Sequence, residues 1–195
     1  SAPVVIVAAG PWSRSLLGTA GVEAPLNTVR HQIITLRRPE DKLVNHVAVG
    51  DIPNSLSARP DIGNLTYIGV GEEEEVSPAR LNHGVDMDVV RDVSVKLASR
   101  MPMMEEATFC GGWSGLFTTT PDWHPILSRT GEVDGLYCAV GFSGHGFKLA
   151  PMVGEVMAEL VTRGVSKSTD ISMLGLDRFK EGKLMRSSYG MSVLA

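Results

Sequence analysis

The order of apolar and polar residues in the first third of the chain predicts short strands and one brief helix. Val4–Ala9 is a continuous apolar run closed by glycine and proline, which predicts a fully buried strand. A helix is expected over about Trp12–Leu17, ended by Gly18. Apolar and polar residues alternate from Thr28 to Val70, so half-exposed antiparallel strands are expected there. These strands are placed at Val29–Arg37, Asn45–Val49 and Leu65–Val70.

The remainder of the chain predicts two longer helices and further short strands. Asp86 or Asp88 is expected to cap a helix that reaches about Arg100, because apolar residues recur there on one face. The last helix is expected to begin at Pro151 and to end at Gly164. Strands are placed at Ala107–Trp113, Pro125–Ser128 and Leu136–Val140. Strands and helices in this order predict an α+β fold.

Composition and charge narrow the class of protein. The chain has 195 residues, of which 43% are hydrophobic and 21% charged, as is typical of a soluble protein with one large or two small domains. No apolar run is long enough to span a bilayer, so no membrane span is expected. The net charge of -4 gives no support for nucleic-acid binding.

Cysteine and histidine spacing bears on compartment and metal binding. Cys110 and Cys138 are far apart in the chain, which predicts free thiols in a reducing compartment such as the cytoplasm. Two lone thiols also exclude a cysteine-rich zinc site. The histidines show no ligand spacing, so no metal site is expected.

The densest chemical signal is the segment from Gly141 to Lys148, which reads G-F-S-G-H-G-F-K between a predicted strand and the last helix. Its glycines allow the backbone to approach a ligand and to expose consecutive N–H groups. The helix dipole adds partial positive charge, which would stabilise an anion or an electron-rich ring edge. The alternative is a glycine-rich turn with a surface lysine.

Spacing excludes three phosphate-binding or nucleophile motifs. The segment fits neither a Walker loop nor a nucleophile elbow, and the chain lacks the dinucleotide fingerprint G-x-G-x-x-G. A second cluster combines Gly111–Gly115 with Thr118–Pro125. The alternative interpretation of that cluster is a loop with an Asx-type turn at Asp122.

Three segments resemble those of one flavoprotein family. Residues 4–13, V-V-I-V-A-A-G-P-W-S, are similar to a strand of the D-amino-acid oxidase and sarcosine oxidase family. Residues 115–122, G-L-F-T-T-T-P-D, resemble its T-x-T-P-D segment, and residues 141–148 resemble its most distinctive motif. The segments occur in the family's order, and the similarity extends to 170–172 and 177–179.

The resemblance implies a division of the chain and a fold. This family opens with a G-x-G-x-x-G half that is missing here, so the chain looks like the C-terminal half of a longer flavoenzyme. It implies FAD-domain segments at 1–24 and 109–166, a substrate-binding domain at 25–108 and a tail at 167–195. The expected fold is a mixed, largely antiparallel sheet with returning strands and the C-terminal helix of a Rossmann-like FAD domain, so that the full-length protein would be α/β.

The resemblance also implies roles for individual residues. Lys148 matches a lysine that holds the substrate carboxylate beside the flavin, and His145 is the second expected catalytic residue. Gly144, His145, Gly146 and Phe147 would border the flavin ring, with backbone N–H groups that face its pyrimidine edge. The cofactor-binding residues are expected to be Ala9, Gly10, Trp12, Gly115, Gly141, Phe142, Ser143, Gly144, Gly146 and Phe147.

Two departures from the family pattern change the expected chemistry. Members with covalent flavin carry a cysteine where this chain has Gly115, and Cys110 does not match, so non-covalent FAD is expected. Some oxidases activate oxygen with a lysine where this chain has Thr66 or Tyr67. The resemblance therefore leaves open whether the electron acceptor is oxygen or another molecule.

The expected function is part of an FAD-dependent oxidoreductase that converts the C–N bond of a small N-methylated or D-amino acid to an imine. The alternative is a non-catalytic fragment or subunit that binds a partner and holds no flavin by itself. The isolated chain is expected to be inactive and to contain little FAD. Pairing with the missing half, or self-association, is expected because Val4–Ala9 reads as a strand with neighbours on both sides.

Overall fold

The computed structural model describes residues 2–70 and 74–186, which divide into two compact units. Of the described residues, the first unit contains Ala2–Val29 and Phe117–Arg186, and the second contains those of Arg30–Leu116. The strands are β1 Val5–Val7, β2 Asn27–Arg37, β3 Val49–Asp51, β4 Leu56–Pro60, β5 Leu65–Val70, β6 Glu74–Glu75, β7 Thr108–Thr119, β8 Ile126–Arg129 and β9 Leu136–Val140. The α-helices are α1 Ser13–Thr19, α2 Met87–Arg100 and α3 Gly146–Arg163.

A three-stranded sheet in the order β1-β9-β8 forms the centre of the first unit. β1 is parallel to β9, with Val7 opposite Cys138, and β8 is antiparallel to β9. One face of β9 packs with Leu17 of α1, whereas the other packs with Val156 of α3. Apolar residues are therefore needed at every position of β9, which explains its continuous hydrophobic run.

The second unit is built on an antiparallel sheet in the order β3-β4-β5-β2-β6, with β7 beside β2. Ile34 of β2 is opposite Ile68 of β5, and Ala58 of β4 is opposite Ile68 on its other side. These side chains pack against Val93 and Leu97 of α2 in one buried cluster. The mixed architecture with a largely antiparallel sheet is confirmed.

The predicted burial of the first strand is wrong. Its strand geometry covers only Val5–Val7, and Val5 and Ile6 are 49% and 44% exposed. Among the described residues β1 pairs with β9 alone, so it is an edge strand with one open side.

Several element boundaries also differ from the sequence prediction. The last helix begins at Gly146, and Pro151 lies inside its second turn. Pro151 has no N–H, so the regular helical bond to the Phe147 carbonyl oxygen is missing at this position. Asn45–Val49 is not a strand, since β3 begins only at Val49, and β4 was not predicted.

Candidate functional site

Two turns lie side by side at one edge of the first unit's sheet. β1 and β9 run parallel, so their carboxyl ends meet at the same edge. The segment after β1 forms a short 3-10 turn over Gly10–Trp12. The segment after β9, residues 141–145, is called the glycine loop below and leads into α3. The carboxyl edge of parallel strands is where ligands bind in open α/β sheets.

The glycine loop has a left-handed backbone at three of its positions. Gly141, Ser143 and Gly144 have φ angles of 70°, 50° and 82°. A Cβ atom on Gly141 would lie only 2.4 Å from Thr120 Cγ2, so glycine is required there by both backbone and space. Ser143 is fully buried, and its N–H donates to the Thr118 carbonyl oxygen at 2.9 Å. The loop is thus held in one shape by contacts with the end of β7.

The amino end of α3 presents backbone donors. The first N–H groups of a helix have no carbonyl partner within the helix. In the part of the chain that the structure describes, His145 occupies the N-cap position without a side-chain capping bond. The N–H groups that follow, together with the helix dipole, form a site suited to an anion or an electron-rich ring edge.

Exposed aromatic and cationic side chains occur in the two segments that meet at this edge of the sheet. Phe147 is 98% exposed and Trp12 is 59% exposed, which is unusual for such large apolar side chains. Lys148 is also exposed, and within residues 2–70 and 74–186 it makes no salt bridge. Its ammonium group is therefore available to a ligand carboxylate.

The second cluster found in the sequence is a structural turn. Asp122 is buried, and its Oδ1 accepts from the His124 N–H at 3.2 Å, as expected for an Asx-type turn. The Thr120 hydroxyl lies 3.1 Å from the same oxygen and 2.8 Å from the His124 carbonyl oxygen. The side chain of Asp122 thus organises residues 120–124 and is not exposed to a ligand.

Arg178 completes this turn from the tail of the chain. Its Nε donates to Asp122 Oδ2 at 2.8 Å and its Nη2 donates to Oδ1 at 2.9 Å. Burial opposes ionisation of the Asp122 carboxyl, but the hydrogen bonds from Arg178 and from the His124 N–H outweigh burial and lower its pKa to about 2. The contact of Arg178 with Asp122 was not predictable from the local sequence, because nothing in the pattern around either residue pairs them.

The structure brings most of the sequence-predicted site residues to one edge of the first unit. Gly115 is the exception, since it lies in β7 within the second unit. Among the described residues no group of three or more His, Cys, Asp or Glu side chains could hold a metal ion. None of the described helices has the length and apolar character needed to cross a membrane. The residues at the edge are Ala9, Gly10, Trp12, Gly141, Phe142, Ser143, Gly144, His145, Gly146, Phe147 and Lys148.

Comparison with known proteins identifies relatives over nearly the whole chain. The family described as FAD dependent oxidoreductase matches residues 1–160. Peroxisomal sarcosine oxidase from Mus musculus is 29% identical over 90% of this chain and 47% of that protein. Sarcosine oxidase subunit beta from Rhodobacter capsulatus is 30% identical over 97% of this chain and 44% of that protein. The chain therefore spans less than half the length of these relatives.

A solved structure has the same fold over a similar span. L-proline dehydrogenase from P. horikoshii superposes with a TM-score of 0.80 and 26% identity, over 93% of this chain and 48% of that one.

Proposed function

Because the chain belongs to the FAD dependent oxidoreductase family, we propose that it is part of an enzyme that uses FAD to oxidise the C–N bond of a small amino acid. The observation that carries this proposal is the glycine loop at the amino end of α3, beside the turn that follows β1. The names of its relatives, a sarcosine oxidase and an L-proline dehydrogenase, support an amine donor that carries a carboxylate.

The backbone donors at the amino end of α3 fit a flavin ring. The N–H groups after His145 and the dipole of α3 match the electron-rich pyrimidine edge of the isoalloxazine. Exposed Phe147 and Trp12 supply flat apolar surface nearby in the same unit. FAD, when bound, supplies the hydride acceptor, and the chain's own residues bind and orient it. The attachment is non-covalent, since Gly115 stands where covalent members carry a cysteine.

Lys148 is proposed to bind the substrate carboxylate. It is exposed, lies in the first turn of α3 shortly after the glycine loop, and carries a positive charge there. A charge-assisted hydrogen bond of this kind contributes about 1.5–3 kcal/mol. A small N-methylated or D-configured amino acid is the proposed substrate, and His145 at the N-cap is the proposed neighbouring catalytic group.

The proposed partner of the first unit is a portion that corresponds to the part of its relatives which this chain does not cover. β1 has one open side among the described residues, and Val5 and Ile6 are exposed on it. An apolar cavity of about 330 Å³ adjoins this edge, lined by residues that include Val5, Leu16 and Val133. Apolar surface beside an unpaired strand edge favours the addition of a further strand. We infer that an FAD-binding portion with a dinucleotide anchor, or a second copy of the chain, covers this edge.

The same observation favours a second candidate function. A chain that covers less than half of its relatives and exposes an apolar strand edge could act as a non-catalytic module that binds a partner and no flavin. The two candidates differ in one measurable property, which is the binding of FAD when the partner portion is present.

A reducing compartment such as the cytoplasm is the proposed location. Cys110 and Cys138 are both free, with Cys110 exposed and Cys138 buried. An exposed thiol that forms no disulfide is more common where the cell keeps thiols reduced.

A titration with FAD tests the proposed function. The chain alone is expected to bind little FAD, whereas the protein with its FAD-binding portion is expected to hold about one equivalent, read from visible absorbance. Absence of bound flavin in the complete protein would exclude the oxidoreductase and leave the partner-binding module.

Substitution of Lys148 tests the substrate assignment. Lys148→Met keeps most of the side-chain volume and removes the charge, so flavin content should hold while kcat/KM for a carboxylated amine falls about 10- to 150-fold. Lys167→Met, an exposed lysine in the same unit, is the matched control and should leave kcat/KM unchanged. An equal loss for an amine without a carboxylate would show that Lys148 does not bind that group.

A further inference from the structure

A buried ion pair, Asp122 with Arg178, lies in the first unit. The side chains of Asp122 and Arg178 are 0% and 4% exposed, and two hydrogen bonds join them. The pair links positions 56 residues apart in the sequence. A bidentate arginine–carboxylate contact fixes the relative orientation of both groups.

The pair sets the shape of the turn that follows β7. Arg178 Nη2 donates to the His124 carbonyl oxygen at 2.7 Å, so the turn is held through its backbone as well as through Asp122. Within this turn Trp123 has a φ angle of 60°, a left-handed conformation that costs free energy for a bulky residue. The surrounding hydrogen bonds hold Trp123 there.

The same turn touches the glycine loop through Thr120. The Thr120 hydroxyl is fixed between Asp122 Oδ1 and the His124 carbonyl oxygen. Because a threonine side chain is stiff, fixing the hydroxyl also fixes the methyl group. That methyl group lies against Gly141, the first residue of the loop. Two residues earlier, the Thr118 carbonyl oxygen accepts the N–H of Ser143.

The tail of the chain is attached to this arrangement. Arg178 Nη1 donates to the Gly175 carbonyl oxygen at 3.1 Å, and the Met185 N–H donates to Asp122 Oδ2 at 3.3 Å. The Leu176 N–H donates to Ser128 Oγ of β8 at 3.3 Å. These tail residues lie beyond residue 160, where the family match ends.

We propose that Arg178 and Asp122 are positioning residues for the glycine loop, which they hold through Thr120 and the end of β7. Through this turn Arg178 connects the tail to the cofactor site, and no contact between the tail and the cofactor is proposed. The functional role rests on the proposed flavin site. The coupling of the tail to the glycine loop can be measured in the chain by itself.

The main test is amide hydrogen exchange at Ser143 in a variant that lacks both charges. Asp122→Asn combined with Arg178→Met leaves no lone buried charge, and the asparagine oxygen can still accept from Thr120 and from the His124 N–H. We expect exchange at Ser143 to accelerate about tenfold or more relative to the amides of β9, since only the local opening becomes easier.

A matched control separates positioning from general loss of stability. Leu17→Ala empties part of the core beside α1 and should destabilise the unit as a whole. In that variant exchange at Ser143 and in β9 should accelerate together. If the double variant gives the same uniform pattern, or leaves Ser143 unchanged, the positioning role is wrong.

Arg178→Lys provides a second variant should the double variant fail to fold. Lysine keeps a charge for Asp122 but lacks the planar fork of arginine, so a smaller selective acceleration at Ser143 is expected. No selective acceleration in this folded variant would overturn the inference.

The flavin readout distinguishes this inference from the proposed function. In the complete protein the same variants should weaken FAD binding and shift the visible flavin spectrum, whereas Leu17→Ala should leave the spectrum unchanged. Selective exchange at Ser143 without any FAD binding by the unsubstituted protein would uphold the positioning role and contradict the proposed function. An unchanged flavin spectrum in the double variant would overturn the assignment to the cofactor site.

Discussion

Each of the two units contains a buried arginine paired with an aspartate, but the two pairs differ in solvent access. In the first unit the Asp122 side chain is 0% exposed, whereas in the second the Asp86 side chain beside Arg30 is 46% exposed. Both arginine side chains are 4% exposed. Water therefore reaches the carboxylate of one pair but not that of the other.

The second pair also has a different structural role. Arg30 donates to the Gly84 carbonyl oxygen at 2.7 Å and to Asp86 Oδ2 at 2.5 Å, immediately before α2. Asp86 occupies the N-cap position of α2 but makes no side-chain capping bond, since its carboxylate binds Arg30 and Gln32 instead. This pair fixes the start of a helix, whereas the pair in the first unit supports a loop of the candidate site.

The largest expected effect is on the fully buried pair. Asp122→Asn leaves the Arg178 charge buried without a counter-ion, which should lower the free energy of unfolding by about 3–5 kcal/mol. Asp134→Asn removes an exposed carboxylate from a surface pair with Arg129 and should change it by less than about 1 kcal/mol. Urea unfolding of both variants measures the difference, and equal losses would contradict the contrast drawn from burial.

Acid should weaken the first unit through the same carboxylate. The pKa of Asp122 is lowered from 3.8 to about 2, so its stabilisation is present above pH 4 and is lost as the pH falls towards 2. The stabilisation lost amounts to about 2 kcal/mol, at 1.36 kcal/mol per pKa unit. Measurement of unfolding between pH 2 and 5 should show a shallower pH dependence for Asp122→Asn. An unaltered slope would mean that another carboxyl group causes the acid sensitivity.

A smaller effect is expected for the half-exposed pair. Asp86→Asn should lower the free energy of unfolding by about 1 kcal/mol, because water screens the pair and Arg30 keeps its bonds to carbonyl oxygens. Glu74→Gln, at 3.6 Å from the same guanidinium, is the control and should have almost no effect. A loss as large as that of Asp122→Asn would show that exposure of the carboxylate does not govern the difference.

A comparably small effect concerns strain in the glycine loop. Ser143 adopts a φ angle of 50° with a long hydrogen bond from its hydroxyl to the Gly141 carbonyl oxygen at 3.3 Å. Both Ser143→Gly and Ser143→Ala lose this bond, but only glycine relieves the strain. The glycine variant should therefore be more stable than the alanine variant by about 1 kcal/mol, as measured by thermal unfolding. The reverse order would show that the loop is not strained at this position.

Segments with strong local signals were predicted well from the sequence. β5 and β9 have the predicted bounds: β5 lies in the alternating region between turn residues, and β9 is a short apolar run. β4 was missed because Leu56–Pro60 has a weak strand composition and is held as a strand by β3 on one side and β5 on the other. The burial of β1 was wrong for a related reason, since its neighbours and not its composition decide how much of it is exposed.

The amino-acid sequence alone determined the glycine loop and its placement after a buried strand. Gly141 and Gly144 have left-handed backbone, which glycine adopts without steric cost in any fold. Only the tertiary structure decided that Asp122 faces inward and pairs with Arg178. That contact joins residues far apart in the chain, and it forms because folding removes both charges from water and leaves each as the other's partner.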